Sequence, residues 1–234
     1  MGRGESPTHL KMKLLLSILL LSSCGAYAQS GLVLDALDQN VLNDDLLKSR
    51  YKQISGSPYF YVEFTNGSVE FTSNQKYKDV PVRVDVFAGT VQLKLDDVIT
   101  EYDNKYVELL SLRDLESTNI INFKIAEINK LKEFVINYFD EDIKFYGIPE
   151  VEKRISTSTQ TSYSSADQQD KFVRSEVYYI YLDGRYNEVK LNKKSILSVL
   201  GQSDEMNKFI KSSKIKFNRI DDLVNLFEYL NNKI

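Results

Sequence analysis

The chain has 234 residues, 30 basic and 33 acidic side chains for a net charge of −3, one histidine, one cysteine and no tryptophan. A length of this order holds one domain or two small ones with a real apolar core. The mildly acidic balance, with Lys and Arg scattered, leaves no footprint for nucleic acid or anionic lipid.

The first element reads as an export signal. Lys11 and Lys13 precede an apolar run, Leu14 to Leu21, and small or polar residues follow, apart from Tyr27. That is the layout of a secretory signal peptide over residues 1–28, and the run is too short for a stop-transfer helix. Residues 1–11 carry no pattern and read as an extension before a start at Met12. Two processing signals overlap: Ala26-Tyr27-Ala28 is a small-x-small site with cleavage before Gln29, and Leu21-Ser22-Ser23-Cys24 resembles the lipobox of bacterial lipoproteins. The spacing from the apolar run favours the first; the second would lipidate Cys24. Both imply an extracytoplasmic bacterial protein: periplasmic, outer-membrane-associated or secreted, touching membrane only through a lipid on Cys24.

Removing residues 1–28 takes Arg3, Lys11, Lys13 and Glu5, leaving 27 basic and 32 acidic residues and a net charge of −5. It also removes His9, while Cys24 is discarded or acylated. A chain without His or free thiol cannot build a Ser-His-Asp or Cys-His nucleophile system, a His/Cys zinc site or a disulfide. The expectation is a protein that is not an enzyme and has no cofactor or metal. Carboxylates remain, so a carboxylate-dependent hydrolase of envelope or extracellular polysaccharide is the alternative.

Residues 29–55 read as an N-terminal arm or short helix, from the spacing of Leu42, Leu46, Leu47 and Tyr51. From Gly56 the pattern turns to strands, giving an antiparallel β domain over 56–150. "YFYVEF" runs through Thr65-Asn66-Gly67 into "SVEF", an Asn-Gly hairpin signal. Val82, Val84 and Val86, then Val91, Leu93 and Leu95 across Ala88-Gly89, predict a second hairpin with one buried and one wet face. Over 101–148 a helical spacing (Ile125, Ile128, Leu131, Val135) competes with alternation in β-branched and aromatic residues. The second predicts strands meeting near Asp140-Glu141.

Residues 151–170, polar and poor in large aliphatics, predict an exposed linker. The last segment, 171–234, predicts a hairpin plus helices. "EVYYIYL" and "RYNEVKL" flank Asp183-Gly184, suited to a type I′ turn that pairs Tyr181 with Tyr186. Asn192 caps a helix ending at Gly201, and Ser203 caps a second that buries Met206, Phe209 and Ile210. Asn218 is the expected cap of a third, with Ile220, Leu223, Val224, Phe227 and Leu230 on its apolar face. The fold class is therefore α+β, mainly β: antiparallel sheet and hairpins, then C-terminal helices that pack on them or form a small second domain.

Gly56-Ser57-Pro58-Tyr59, Phe64, Gly67, Val69, Tyr77, Val80-Pro81 and Arg83 resemble the N-terminal β signature of a family of exported Gram-negative bacterial proteins. In that family a "GSPY" stretch precedes a "VPLRYN"-like strand. The tail motifs "YYIYLDGRYNEVKLNKKSIL", "MNKFIKSSKIKF" and "DDLVNLFEYLNN" are similar to its closing hairpin, lysine-rich helix and final helix. This chain departs at Arg83-Val84-Asp85, where the family has "RYN", and in lacking prolines in the 156–170 loop. The resemblance implies export and a β-rich fold with C-terminal helices, and no catalytic residue.

Three candidate surfaces follow. Arg83 and Asp85, two apart on a strand, share a face; they read as a surface ion pair, or as a holder of a polar ligand. Tyr179, Tyr181 and Tyr186 share a face opposite Tyr178 and Ile180: core if that face carries the helices, a platform for glycan or protein if it is open. Lys193, Lys194, Lys208, Lys211, Lys214 and Lys216 read as a solvated helical face. The acidic clusters lack calcium-loop spacing. The expected partner is an envelope protein or a glycan.

Overall fold

The computed structural model describes residues 39–42, 49–115, 117–156 and 169–233, with side chains from residue 49 onward. The segment 1–28 with His9 and Cys24, most of the 29–55 arm and residues 157–168 lie outside the described residues.

Among the described residues, eleven strands form one antiparallel sheet. They are β1 (Gln39–Leu42), β2 (Thr65–Phe71), β3 (Lys76–Asp85), β4 (Thr90–Leu95), β5 (Val98–Asp103), β6 (Val107–Arg113), β7 (Ile120–Ile128), β8 (Leu131–Asp140), β9 (Lys144–Arg154), β10 (Lys171–Leu182) and β11 (Arg185–Val189). Three helices follow: α1 (Lys193–Leu200), α2 (Asp204–Ser212) and α3 (Ile220–Asn231). The mainly β, α+β class expected from the residues is the one found. The competing helical spacing over 101–148 loses to strands throughout, and β8 and β9 meet at Glu141–Ile143 as expected.

The sheet order, β1-β5-β4-β3-β2-β6-β7-β8-β9-β10-β11, forces half of it to roll up. Between β5 and β6 lie β4, β3 and β2, so a flat sheet would separate them by about 19 Å at roughly 4.8 Å per strand. The chain from Asp103 to Val107 reaches only about 14 Å. Its 3₁₀ turn, Asn104–Tyr106, is tied at one end to Gly89 O and at the other to Thr72 N, the turns at opposite ends of β3. β3 bends to allow this. Its first half pairs with β2 and its second with β4, with Asp79 at φ 52° and a bulge between Gly67 and Val69. Phe71 and Tyr102, 4.6 Å apart, fill the roll with Val69, Val82, Val84, Val91 and Leu93, all buried. At about 1.5–3 kcal/mol for each large apolar side chain, this is a sizeable core for five short strands.

Several local expectations change. Leu42, read as part of an arm or short helix, lies in β1, because β5 would otherwise offer an unpaired edge and the backbone of 39–42 satisfies it. Asn66-Gly67 is no turn but lies inside β2. Gly67 is there for proximity: a Cβ would sit 2.7 Å from Ser111 O on β6. "YFYVEF" up to Phe64 is not a strand; Pro58 lacks the N–H a ladder needs, and single bridges, Ser55 to Lys171 and Tyr59 to Asp85, tie this stretch down. Residues 54–64 thus form a strap. It lies against β3, β7 and β10, with the Phe60 ring 5.1 Å from Phe123 and its carbonyl accepting from Arg174 Nη2.

The other half is a continuous meander. β9 and β10 pair from Arg154↔Lys171 to Lys144↔Tyr181, so residues 155–170 join two strands of one sheet rather than two domains. The last hairpin turns at Asp183 (φ 52°) and Gly184 (φ 81°) with Tyr181 opposite Tyr186, as the type I′ reading requires. Asn192 and Ser203 cap α1 and α2 through Ser195 N and Met206 N. α3 differs: Arg219 precedes it with no side-chain cap, and Leu226 joins Leu223 and Phe227 in the core while Val224 stays half-buried. The helices cover Ile143, Phe145, Ile180 and Val189, forming a single core with the sheet.

Candidate functional site

Two polar and aromatic rows stand out on the sheet, one sealed and one open. The first lies on the outside of the roll. Alternation on β3, β4 and β5 turns Val82, Val84, Val91, Leu93 and Tyr102 inward, so Arg83, Gln92 and Glu101, neighbours across the strands, face outward. This face is not wet: Gln92 and Asp85 are fully buried and Glu101 is 5% exposed. Arg50 and the strap cover them.

Every charge in the row has a partner. Arg50 holds Glu101 with two hydrogen bonds of 2.8 and 3.1 Å, the bidentate geometry in which arginine is strongest. Gln92 donates to Glu101 at 2.8 Å, and its carbonyl accepts from Arg83 Nε and Nη2 at 2.9 and 2.8 Å. The Arg83 guanidinium is clamped between the rings of Tyr59 and Phe64, at 4.0 and 4.3 Å. Asp85 accepts from the Tyr51 hydroxyl at 2.8 Å and from Ala88 N at 2.9 Å.

The expected surface ion pair is therefore corrected. Arg83 and Asp85 share a face as predicted, but each is bound into a buried network by other partners, because the strap removes water from between them. Their titration follows. Burial pushes Asp85 up and Arg83 down. Burial also pushes Glu101 up, yet the hydrogen bonds from Arg50 and Gln92 outweigh it and leave the carboxyl below its ordinary value. Sequence inspection misses Arg50, Gln92 and Glu101: only the roll of the sheet brings residue 50 beside residue 101.

The second row is on β7–β11. Along β10, Phe172, Arg174, Glu176, Tyr178 and Ile180 alternate toward the strap and helices, while Tyr179 and Tyr181 take the opposite face. Tyr178 packs with Phe145, 6.0 Å away, in the helical core. The reading of Tyr179, Tyr181 and Tyr186 as core beneath the helices is corrected: the even-numbered side of β10 takes that place. The three tyrosines stand half-buried on the other side. Their apolar cluster, Ala126, Ile128, Val135, Tyr146, Ile148, Tyr179 and Tyr186, draws only on the sheet. Ring centroids lie 4.9 Å apart for Tyr181–Tyr186 and 6.0 Å for Tyr146–Tyr186.

A charged group borders this face. Asp140 is bound by Lys124, by Lys144 at 2.7 Å and by the Tyr146 hydroxyl at 2.8 Å. Burial pushes the Asp140 carboxyl up, but these three donors prevail and hold it down at about 2. Lys144 is raised by its bond to Asp140. Glu133, Glu150 and Glu188 add carboxylates around Tyr179.

Among the described residues, no group of three or more His, Cys, Asp or Glu is arranged to hold a metal, and no helix is long and apolar enough to cross a membrane. The six lysines of the tail are exposed, and none makes an ion pair among the described residues. Cys24 lies outside the described residues. No protein-family model matches the chain, and neither does any curated protein or any solved structure.

Proposed function

We propose that this is an exported bacterial protein, envelope-associated or secreted, that acts by binding or assembly rather than catalysis, with Tyr179, Tyr181 and Tyr186 as its ligand face and a glycan as the ligand. The observation that carries the reading is that these tyrosines stand on the sheet face away from the helices, in a row bordered by Lys124, Lys144 and Asp140. Aromatic rings stack against the C–H faces of sugars, while ammonium and carboxylate groups at the rim bond the hydroxyls. Lysines and carboxylates are mixed along that rim, which suits a neutral polyhydroxylated ligand better than an anion.

A carboxylate-dependent hydrolase needs two carboxyl groups set to different proton affinities. Asp85 and Glu101 come closest: Arg50 Nη1 lies 3.8 Å from one and 2.8 Å from the other, and the two are pushed in opposite directions. Both side chains are closed beneath Arg50, Tyr51 and the strap, at 0% and 6% exposure. A glycosidic bond has no path to them, which favours binding over hydrolysis.

Affinity electrophoresis of the purified mature chain through gels containing envelope polysaccharide tests the ligand. Retardation that is lost in Tyr179→Thr/Tyr186→Thr, with an unchanged far-UV spectrum, supports the reading. Equal mobility with and without glycan, together with capture of a specific envelope protein by cross-linking through this face, replaces the glycan with a protein. Osmotic-shock fractionation and the intact mass of the exported chain test localisation: a start at Gln29 means a soluble protein, an acylated Cys24 a tethered one.

A further inference from the structure

Among the described residues, β11 is an outer strand of the sheet and pairs with β10 alone. Neither a bulge nor a proline blunts its five residues, Arg185 to Val189. The turn before it decides which of its backbone groups stay free. A two-residue loop at Asp183-Gly184 makes Leu182 and Arg185 a hydrogen-bonded pair, and bonded and non-bonded pairs alternate from there. Arg185, Asn187 and Val189 therefore bond β10, while the N–H and C=O of Tyr186 and Glu188 point away from the sheet.

Both ends of this open stretch are closed. Lys190, next in the outward series, donates its N–H to Ser195 Oγ at 2.9 Å, and its C=O accepts from Asn192 N at 2.7 Å. Gly184, at φ 81°, turns the chain out of the strand at the other end. Two donors and two acceptors remain, placed symmetrically about Asn187. An extended segment of another protein would bring donors and acceptors beyond the two residues able to meet them. A second copy of this chain brings the same four groups in matching order.

We propose that two copies of this chain pair through β11, antiparallel about a two-fold axis at Asn187, and join their sheets edge to edge. Tyr186 then faces the partner's Glu188 and Glu188 the partner's Tyr186, and the four open groups of each copy are all used in four hydrogen bonds. The side chains suit this register. Arg185 falls opposite the partner's Val189, and Lys190 opposite the partner's Gly184, next to the partner's Asp183, so no like charges are opposed. Asn187 meets the partner's Asn187, an amide opposite an amide, each both donor and acceptor.

The axis stands perpendicular to the sheet, so both tyrosine faces lie on one side of it. Within one protomer Tyr146, Tyr179 and Glu188 are neighbours across the strands, as are Tyr181 and Tyr186. Pairing continues the first row into the partner's Tyr186 and the partner's Tyr181, and a long glycan can span both copies. That consequence rests on the glycan reading above; the pairing itself rests on the backbone.

Sedimentation velocity of the mature chain should show a reversible monomer–dimer equilibrium with a Kd of about 1–100 μM, as a small edge contact implies. Glu188→Pro removes an outward N–H and keeps the bonds to β10, and should weaken the dimer by at least about tenfold. Should the proline disturb the hairpin, cysteine pairing decides independently, because the chain from Gln29 contains no cysteine. Asn187→Cys sets the two thiols on the axis with Cα atoms about 4.5 Å apart, within disulfide reach. Arg185→Cys offsets them by about 13 Å along the strand, so oxidation should cross-link it at least about tenfold less. Tyr179→Thr should lose glycan retardation and stay dimeric, whereas Glu188→Pro should lose the dimer and only part of the retardation, which separates failure of one reading from failure of the other.

A chain that stays monomeric at about 500 μM overturns the proposal, as does capture by Asn187→Cys of an extended segment of another envelope protein in place of its own copy. A dimer indifferent to Glu188→Pro and cross-linked equally through both cysteines overturns it too. So does an assembly that grows without limit with concentration, which would mean β11 pairing with the opposite edge at β1.

Discussion

The two rows on the sheet start from similar material and end differently. Arg83, Gln92 and Glu101 on β3–β5 lie on the face away from the core of the roll, and Tyr179, Tyr181 and Tyr186 on β10 and β11 lie on the face away from the helical core, where alternation predicts contact with water. A strap closes over the first and nothing among the described residues closes over the second. The sealed row must therefore satisfy its charged groups internally, and it does, through Arg50, Tyr51 and the Arg83 clamp. The open row keeps half-buried rings and a charged border. Polar chemistry that is completely satisfied acts as a lock; polar and aromatic chemistry that is left partly uncovered is available to a ligand.

Substitutions can break this contrast in order of expected size. The largest effect belongs to Glu101→Ala, which leaves the Arg50 guanidinium and the Gln92 amide without their acceptor in a buried site. Arg50 is 31% exposed and regains water, so the cost is about 3 kcal/mol rather than the full penalty of a buried pair, read as a shift in the urea midpoint. A wild-type midpoint in this variant would mean that the row is wet and the lock absent. Asp85→Ala strands the Tyr51 hydroxyl and Ala88 N–H in the same way, with an expected loss of about 1–3 kcal/mol.

Gly147→Ala probes the seam between the strap and the helices on the covered face. There the Glu176 carboxylate, bonded by the Tyr138 hydroxyl at 2.7 Å, occupies the space a Cβ would need. Overpacking here should cost about 1–3 kcal/mol, and Gly147→Ala combined with Glu176→Ala should recover part of it. If the pair is additive, the two groups do not meet.

At the open row the effects are smaller and depend on pH. Asp140 titrates near 2 in the folded protein against an ordinary value of 3.8, so its contribution is complete above about pH 4 and is lost as pH falls toward 2. Its side chain is 26% exposed, which moderates the gain. Asp140→Asn should flatten the stability curve between pH 4 and 2 and leave the slope elsewhere unchanged; an unaltered acid limb would assign acid sensitivity to other carboxylates. The smallest change in stability is expected for Tyr179→Thr, within about 1 kcal/mol, since threonine suits a half-buried strand position. Retention on envelope glycan should fall in the same variant, separating binding from folding.

How far the residues alone reach can be judged element by element. The turn of the closing hairpin and the caps of the first two helices are legible, since Asp183-Gly184, Asn192, Gly201 and Ser203 act through their own backbone neighbours, whereas Phe209, expected in the core, stays half-buried. Asn66-Gly67 misled for the complementary reason: the same dipeptide that makes a turn also permits close approach, and β6, forty residues on, decided which. The Asn218 cap failed because the end of α3 is set by packing of Leu223, Leu226 and Phe227. Of the candidate residues, the shared face of Tyr179, Tyr181 and Tyr186 was legible from period-two alternation, and so was that of Arg83 and Asp85. Which side each would present to water was not.

What the amino-acid order determined by itself was local: strand and helix identity, caps, the type I′ turn and the assignment of side chains to faces, all set by interactions across a few residues. Covering was decided only in three dimensions. The roll of β2–β6, the strap over Arg83 and Glu101 and the helices on Ile180 rather than Tyr179 all join residues far apart in the chain. Burial, and with it the strength of every charge and hydrogen bond, depends on those distant partners.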